Sequence, residues 1–106
     1  MTGHEYQVLC LRTAGATQPE DLVVNGVMGL NGEAGECIDI VKKHMFQKHE
    51  LDAQHLKEEL GDVSWYLAIT AAGLGVDLDK IFEDNIAKLK ARYPEGFDAD
   101  RSINRA

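Results

Sequence analysis

Apolar residues recur every three to four positions through most of the chain, the period of α-helices that bury one face. Tyr6, Leu9 and Cys10 show it first, behind Thr2-Gly3-His4-Glu5, which has the Thr-x-x-Glu form of a capping box. A first helix of about three turns, ending near Gly15, is predicted. Pro19, Glu20 and Asp21 favour the start of a second helix, about 20–45, with Leu22, Val23, Val27, Leu30, Ala34, Cys37, Ile38 and Val41 on a broad apolar face. Gly26, Gly29, Gly32 and Gly35 weaken that helix by roughly 1 kcal/mol each relative to Ala. Tertiary packing must offset this, by letting another helix or a ligand approach the backbone. Asp52 suits the N-cap of a third helix reaching about residue 72, with Leu56, Leu60, Val63, Leu67 and Thr70 at the core period. Gly73 and Gly75 end it, Asp77 can cap a fourth helix, and Pro94 closes that one. Residues 98–106 read as a tail. With no hairpin signal and no repeat, the expectation is an all-α antiparallel four-helix bundle, one domain over 1–106.

Length and charge narrow the picture. A chain of 106 residues can fold without disulfides or a structural metal. Cys10 and Cys37 lack metal-ligand spacing and read as buried, small hydrophobes; Met28 and Met45 read as core. No apolar run approaches the roughly 18–20 residues of a membrane span, and the first residues lack an export signal, so a cytoplasmic protein without a membrane partner is expected. A net charge of -7 disfavours nucleic acid, and any phosphate ligand needs cations brought to it.

The candidate chemistry lies in two acidic pairs. Glu33-Ala34-Gly35-Glu36 places both carboxylates on one side of the second helix, and Glu59-Leu60-Gly61-Asp62 does the same on the third. Either pair alone reads as a solvated face. Two pairs amid apolar residues on consecutive antiparallel helices instead suggest acids brought together around a cation, and oxygen-only ligation suits Mg²⁺, with Mn²⁺ as a substitute. On the fourth helix Asn85 interrupts the stripe of Leu78, Ile81 and Leu89, and Lys88 and Arg92 share its side. A solvated basic edge is the alternative there. Lys42 and Lys43 add positive charge to the second helix. His4, His44, His49 and His55 show no spacing shared with the acids and read as surface or structural.

Three stretches together carry a family resemblance: Gly29-Leu30-Asn31-Gly32-Glu33-Ala34-Gly35-Glu36, Glu58-Glu59-Leu60-Gly61-Asp62, and Asn85-Ile86-Ala87-Lys88-Leu89-Lys90-Ala91-Arg92-Tyr93-Pro94-Glu95-Gly96-Phe97. In this order the chain resembles MazG-like members of the all-α nucleoside triphosphate pyrophosphohydrolase superfamily. The resemblance implies hydrolysis of a nucleoside or deoxynucleoside triphosphate to the monophosphate and pyrophosphate, in nucleotide-pool cleansing. It implies Mg²⁺ on Glu33, Glu36, Glu59 and Asp62. On electrostatic grounds one of the glutamates, Glu36 ahead of Glu33, is expected to take a proton in catalysis. It places Lys88, Arg92 and Tyr93 on phosphate oxygens, Asn85 in the same pocket and Tyr66 against the base; Lys42 is a further substrate-binding candidate.

Other readings remain at this level: a sibling enzyme dedicated to dUTP, dCTP or phosphoribosyl-ATP, or a helical interaction module without catalysis. A di-iron bundle would need Glu-x-x-His pairs, and Asp52-Ala53-Gln54-His55 is the nearest approach. Wide apolar faces in so short a chain predict a homodimer or a dimer of dimers, with the nucleotide pocket near the interface.

Overall fold

A computed structural model describes residues 1–15 and 17–104. They form five helices: α1 (Gly3–Leu11), α2 (Pro19–Phe46), α3 (Ala53–Gly73), α4 (Leu78–Arg92) and α5 (Ala99–Ile103). No strand occurs among the described residues.

The starts of these helices follow from local chemistry. Thr2 and Glu5 complete the capping box: the Thr2 hydroxyl accepts from the Glu5 N–H at 3.0 Å and the Glu5 carboxylate from the Thr2 N–H at 3.4 Å. Pro19 opens α2, Asp52 accepts from the His55 N–H at 3.0 Å, and Asp77 accepts from the Asp79 N–H at 2.9 Å. Gly75, at φ 72°, lets α3 end in a left-handed turn in which the Val76 N–H returns to the Ala71 carbonyl at 2.9 Å. Within the expected tail, Asp98 caps the short α5 by accepting from the Asp100 N–H at 2.9 Å.

Helices α2 and α3 pack antiparallel along most of their length. Gly26 lies against Thr70, Gly29 against the ring of Tyr66, and Gly73 against Pro19 and Val23, so these glycines let the two backbones close on each other. The buried core joins Cys10, Leu22, Ala68, Ile69, Ala71 and Leu78. Gln7 is the polar pin of this core. Its amide donates to the carbonyls of Ala68 (3.3 Å) and Val76 (3.0 Å), and its oxygen accepts from the Leu78 N–H at 3.0 Å, fastening α1 to the junction of α3 and α4. His4 adds a second fastening, Nδ1 to Asp77 at 2.6 Å and backbone N–H to Asp79 at 3.1 Å.

The expected faces need correction. The broad face of α2 divides: Leu22 is buried and Val23, Leu30 and Cys37 half-buried, whereas Val27, Ala34, Ile38 and Val41 are exposed. Met28 and Met45, expected in the core, are exposed, as is Leu60 on α3, where Ala68, Ile69 and Ala71 supply the buried face instead. The stripe along α4 opens steadily, from Leu78, 2 % exposed, through half-buried Ile81 to exposed Asn85 and Leu89. Among the described residues the substantial contacts of α4 are with α1 and α3.

Candidate metal centre

Midway along the α2/α3 pair, one carboxylate oxygen from each of Glu33, Glu59 and Asp62 lies within 4.8 Å of the other two. The spacing explains the gathering. Glu59 and Asp62 are one turn apart on α3, and the antiparallel packing that sets Gly29 on Tyr66 carries Glu33, one turn further along α2, to the level of that pair. Glu33 and Glu59 are half-buried and Asp62 is exposed, so the group opens to solvent on one side.

The electrostatics are those of crowded like charges. The Glu33 carboxyl is pushed up to about 7, first by hydrogen bonding with Glu59, then by desolvation and by the charges of Glu59, Asp62 and Glu36. That hydrogen bond requires one of the two carboxyls to carry a proton. As a carboxylate, Glu33 has a buried oxygen, Oε2, with no donor. A proton or a cation can satisfy it, and three carboxylate oxygens without nitrogen or sulfur are the donor set of a hard divalent ion.

Glu36 lies outside the gathered trio, exposed one turn further along α2. Tyr66 packs over Gly29 and meets Trp65 edge-on, with ring centroids 5.0 Å apart. Lys42 lines an apolar cleft on the outward side of α2 with Cys37, Ile38, Val41, Met45 and Phe46, of about 420 Å³. Its neighbour Lys43 pairs with Asp39 at 3.0 Å. Asn85 and Lys88 are exposed on the free half of α4; Arg92 and Tyr93 are half-buried, and the Tyr93 ring lies 5.5 Å from that of Phe97. No hydrogen bond or ion pair among the described residues links Asn85, Lys88, Arg92 or Tyr93 to the acids.

One histidine has a place that spacing alone shows. His55 stands four residues before Glu59, and its Nε2 lies 3.1 Å from Glu59 Oε1. The expectation that no histidine shares spacing with the acids is therefore overturned for His55, since positions four apart on a helix face each other. Cys10 is buried and Cys37 half-buried, both as free thiols. Burial pushes the Cys10 thiol up, and the neighbouring Tyr6 hydroxyl is pushed up to about 12, chiefly by burial.

The described residues are helical apart from turns and loops, and two antiparallel helices present carboxylates to a common point. The family model of the MazG nucleotide pyrophosphohydrolase domain matches residues 25–97, from the first third of α2 to just beyond α4, and the chain belongs to that family. It is also similar to the Gene 37 protein of Mycobacterium phage L5, 42% identical over 73 residues. That match covers 65% of this chain and 64% of the relative. No solved structure matches the chain significantly.

Proposed function

We propose that the protein hydrolyses a nucleoside or deoxynucleoside triphosphate to the monophosphate and pyrophosphate, using Mg²⁺ held by Glu33, Glu59 and Asp62. The observation that carries this reading is the convergence of those three carboxylates, with the buried Glu33 Oε2 lacking any donor. When bound, Mg²⁺ would offset the charge of the triphosphate and acidify a water for attack on phosphorus. The chain's own residues supply the rest. Glu33 and Glu59 fix the inner side of the site from opposite helices, and Asp62 faces the solvent side from which a triphosphate enters. Glu36, the acid left outside the trio, completes the set and takes the proton of the attacking water. Tyr66 lies one turn from Asp62 and offers an aromatic surface to the base. Lys88 and Arg92, with Asn85 and Tyr93, meet phosphate oxygens once α4 is brought over a site.

The protein acts in this reading as a homodimer or dimer of dimers in the cytoplasm, in nucleotide-pool cleansing. The described helices include none long and apolar enough to cross a membrane. Incubation with each common triphosphate and Mg²⁺, followed by separation of the products, tests the chemistry. Monophosphate and pyrophosphate are expected; diphosphate and orthophosphate would reject the cleavage site. A Glu36→Gln variant should lose turnover at unchanged helicity, and full activity in it would remove Glu36 from the mechanism.

A further inference from the structure

Three carboxylates suit a hard ion, but one of them, Glu59, also belongs to an arrangement that contains a nitrogen. His55 stands one turn before it on α3, and the His55 Nε2 lies 3.1 Å from Glu59 Oε1. The ring rises from a fixed turn, because the Asp52 carboxylate caps α3 by accepting from the His55 N–H at 3.0 Å. The His55 side chain is 50 % exposed and that of Glu59 15 %, so the nitrogen is open to solutes while the carboxylate it faces is largely shielded.

The separation is that of two ligands on one ion. With bonds of about 2.0–2.2 Å, donors 3.1 Å apart subtend roughly 90–100° at a metal, between the octahedral and the tetrahedral angle. An imidazole nitrogen beside a carboxylate oxygen suits Zn²⁺, whereas Mg²⁺ takes oxygen. The other histidine that meets a carboxylate lacks this geometry. His4 Nδ1 and Asp77 are 2.6 Å apart, which would force an angle of roughly 70–80° at those bond lengths, and the other oxygen of Asp77 is engaged by the Asp79 N–H. His44 turns its ring to the His49 carbonyl at 3.0 Å.

We propose that His55 and Glu59 form a second metal site, selective for Zn²⁺ over Mg²⁺, and that an ion held there shuts off the site of the three carboxylates by taking Glu59 from Glu33 and Asp62. Water completes the coordination on the side where His55 is exposed. The two sites share a ligand and would set two dications side by side, so the ions compete, and by linkage each weakens the binding of the other by the same factor. The shutting-off rests on the function proposed above; the binding of Zn²⁺ does not.

Titration of the protein with Zn²⁺ in Mg²⁺-free buffer, followed in the ¹H–¹⁵N spectra of its four histidine rings, tests the site. The His55 signals are expected to move first, with those of His4 unmoved. Calorimetry in a Cys37→Ser background, which removes the half-buried thiol, should give at least about a tenfold loss of Zn²⁺ affinity in His55→Gln at equal helicity by circular dichroism. Glutamine keeps a donor for Glu59 but has no imidazole, so a role for His55 in orienting Glu59 alone does not produce that loss. Added Mg²⁺ should weaken Zn²⁺ binding to the wild type. At fixed Mg²⁺, Zn²⁺ should inhibit triphosphate hydrolysis, and His55→Gln should need at least about ten times more Zn²⁺ for the same inhibition. Equal Zn²⁺ affinity in His55→Gln, or movement of His44 or His49 in place of His55, would overturn the site. Zn²⁺ binding indifferent to Mg²⁺ would overturn the sharing of Glu59. A protein that binds Zn²⁺ through His55 yet hydrolyses no triphosphate would overturn the proposed function and uphold the site.

Discussion

Glu33 on α2 and Glu59 on α3 turn their carboxyls onto each other across the helix pair, and the first consequence is a Glu33 carboxyl pushed up to about 7. An unfolded glutamate titrates near 4.5. The folded chain thus holds the Glu33 proton more tightly than the unfolded chain does. This contribution to stability is full below about pH 4.5 and is lost as pH rises through about 7. In metal-free buffer the melting temperature of the wild type should fall, relative to that of Glu33→Gln, as pH is raised across this window. Equal pH slopes in the two proteins would show that the pair is not coupled. Added Mg²⁺ competes with the proton, so its stabilising effect should grow across the same window.

His55 faces Glu59 at 3.1 Å and holds one of its two oxygens, leaving the other directed by that contact. Partners of this kind typically change metal affinity by about 10–100-fold when removed, and the half-exposed His55 belongs at the lower end. Titration calorimetry with Mn²⁺ should show about a tenfold loss in His55→Ala, recovered in part by His55→Gln, at unchanged helical content. Unchanged Mn²⁺ affinity would reduce the contact to a surface pair.

Gln7 satisfies two carbonyls and one N–H at the meeting of α1, α3 and α4. Gln7→Leu fills similar space but leaves those groups, the Leu78 N–H above all, without a partner. Urea denaturation should show a loss of about 2–4 kcal/mol, larger than for a solvent-facing change such as Gln54→Leu. A loss below about 0.5 kcal/mol would mean that water replaces the amide.

The helix starts are legible in the sequence because Thr2, Pro19, Asp52 and Asp77 act within a few residues of themselves. The same locality would have allowed α5, since Asp98 caps it in the same way as Asp77 caps α4. The meeting of Glu33 with Glu59 and Asp62 is legible too, since two pairs on one antiparallel turn have few other places to go. What lies beyond the sequence is which surface covers which. Periodicity marks Val27, Ile38 and Leu60 as apolar but carries no record of whether their cover belongs to the same chain, and so two stripes on α2 merge into one broad face. Gln7, a residue with no pattern of its own, ties the start of α4 to α1 and α3, and Asn85 and Lys88 are exposed further along α4.

The glycines of α2 divide into two kinds, and substitution should separate them. A methyl group at Gly29 would strike the Tyr66 ring, and one at Gly26 would strike Thr70, side chains held inside the α2/α3 interface. A methyl group at Gly32 meets nothing within 4 Å. Gly29→Ala should therefore destabilise by about 1–3 kcal/mol through overpacking, despite its gain in helix propensity. Gly32→Ala keeps that gain alone and should stabilise by about 0.5–1 kcal/mol. Chemical denaturation of the two variants gives the comparison directly. If Gly29→Ala proved the more stable, the close contact with Tyr66 would be wrong. If Gly32→Ala stabilised the fold yet lost turnover of triphosphate, the open space beside Gly32 would be the path by which the substrate reaches the carboxylates.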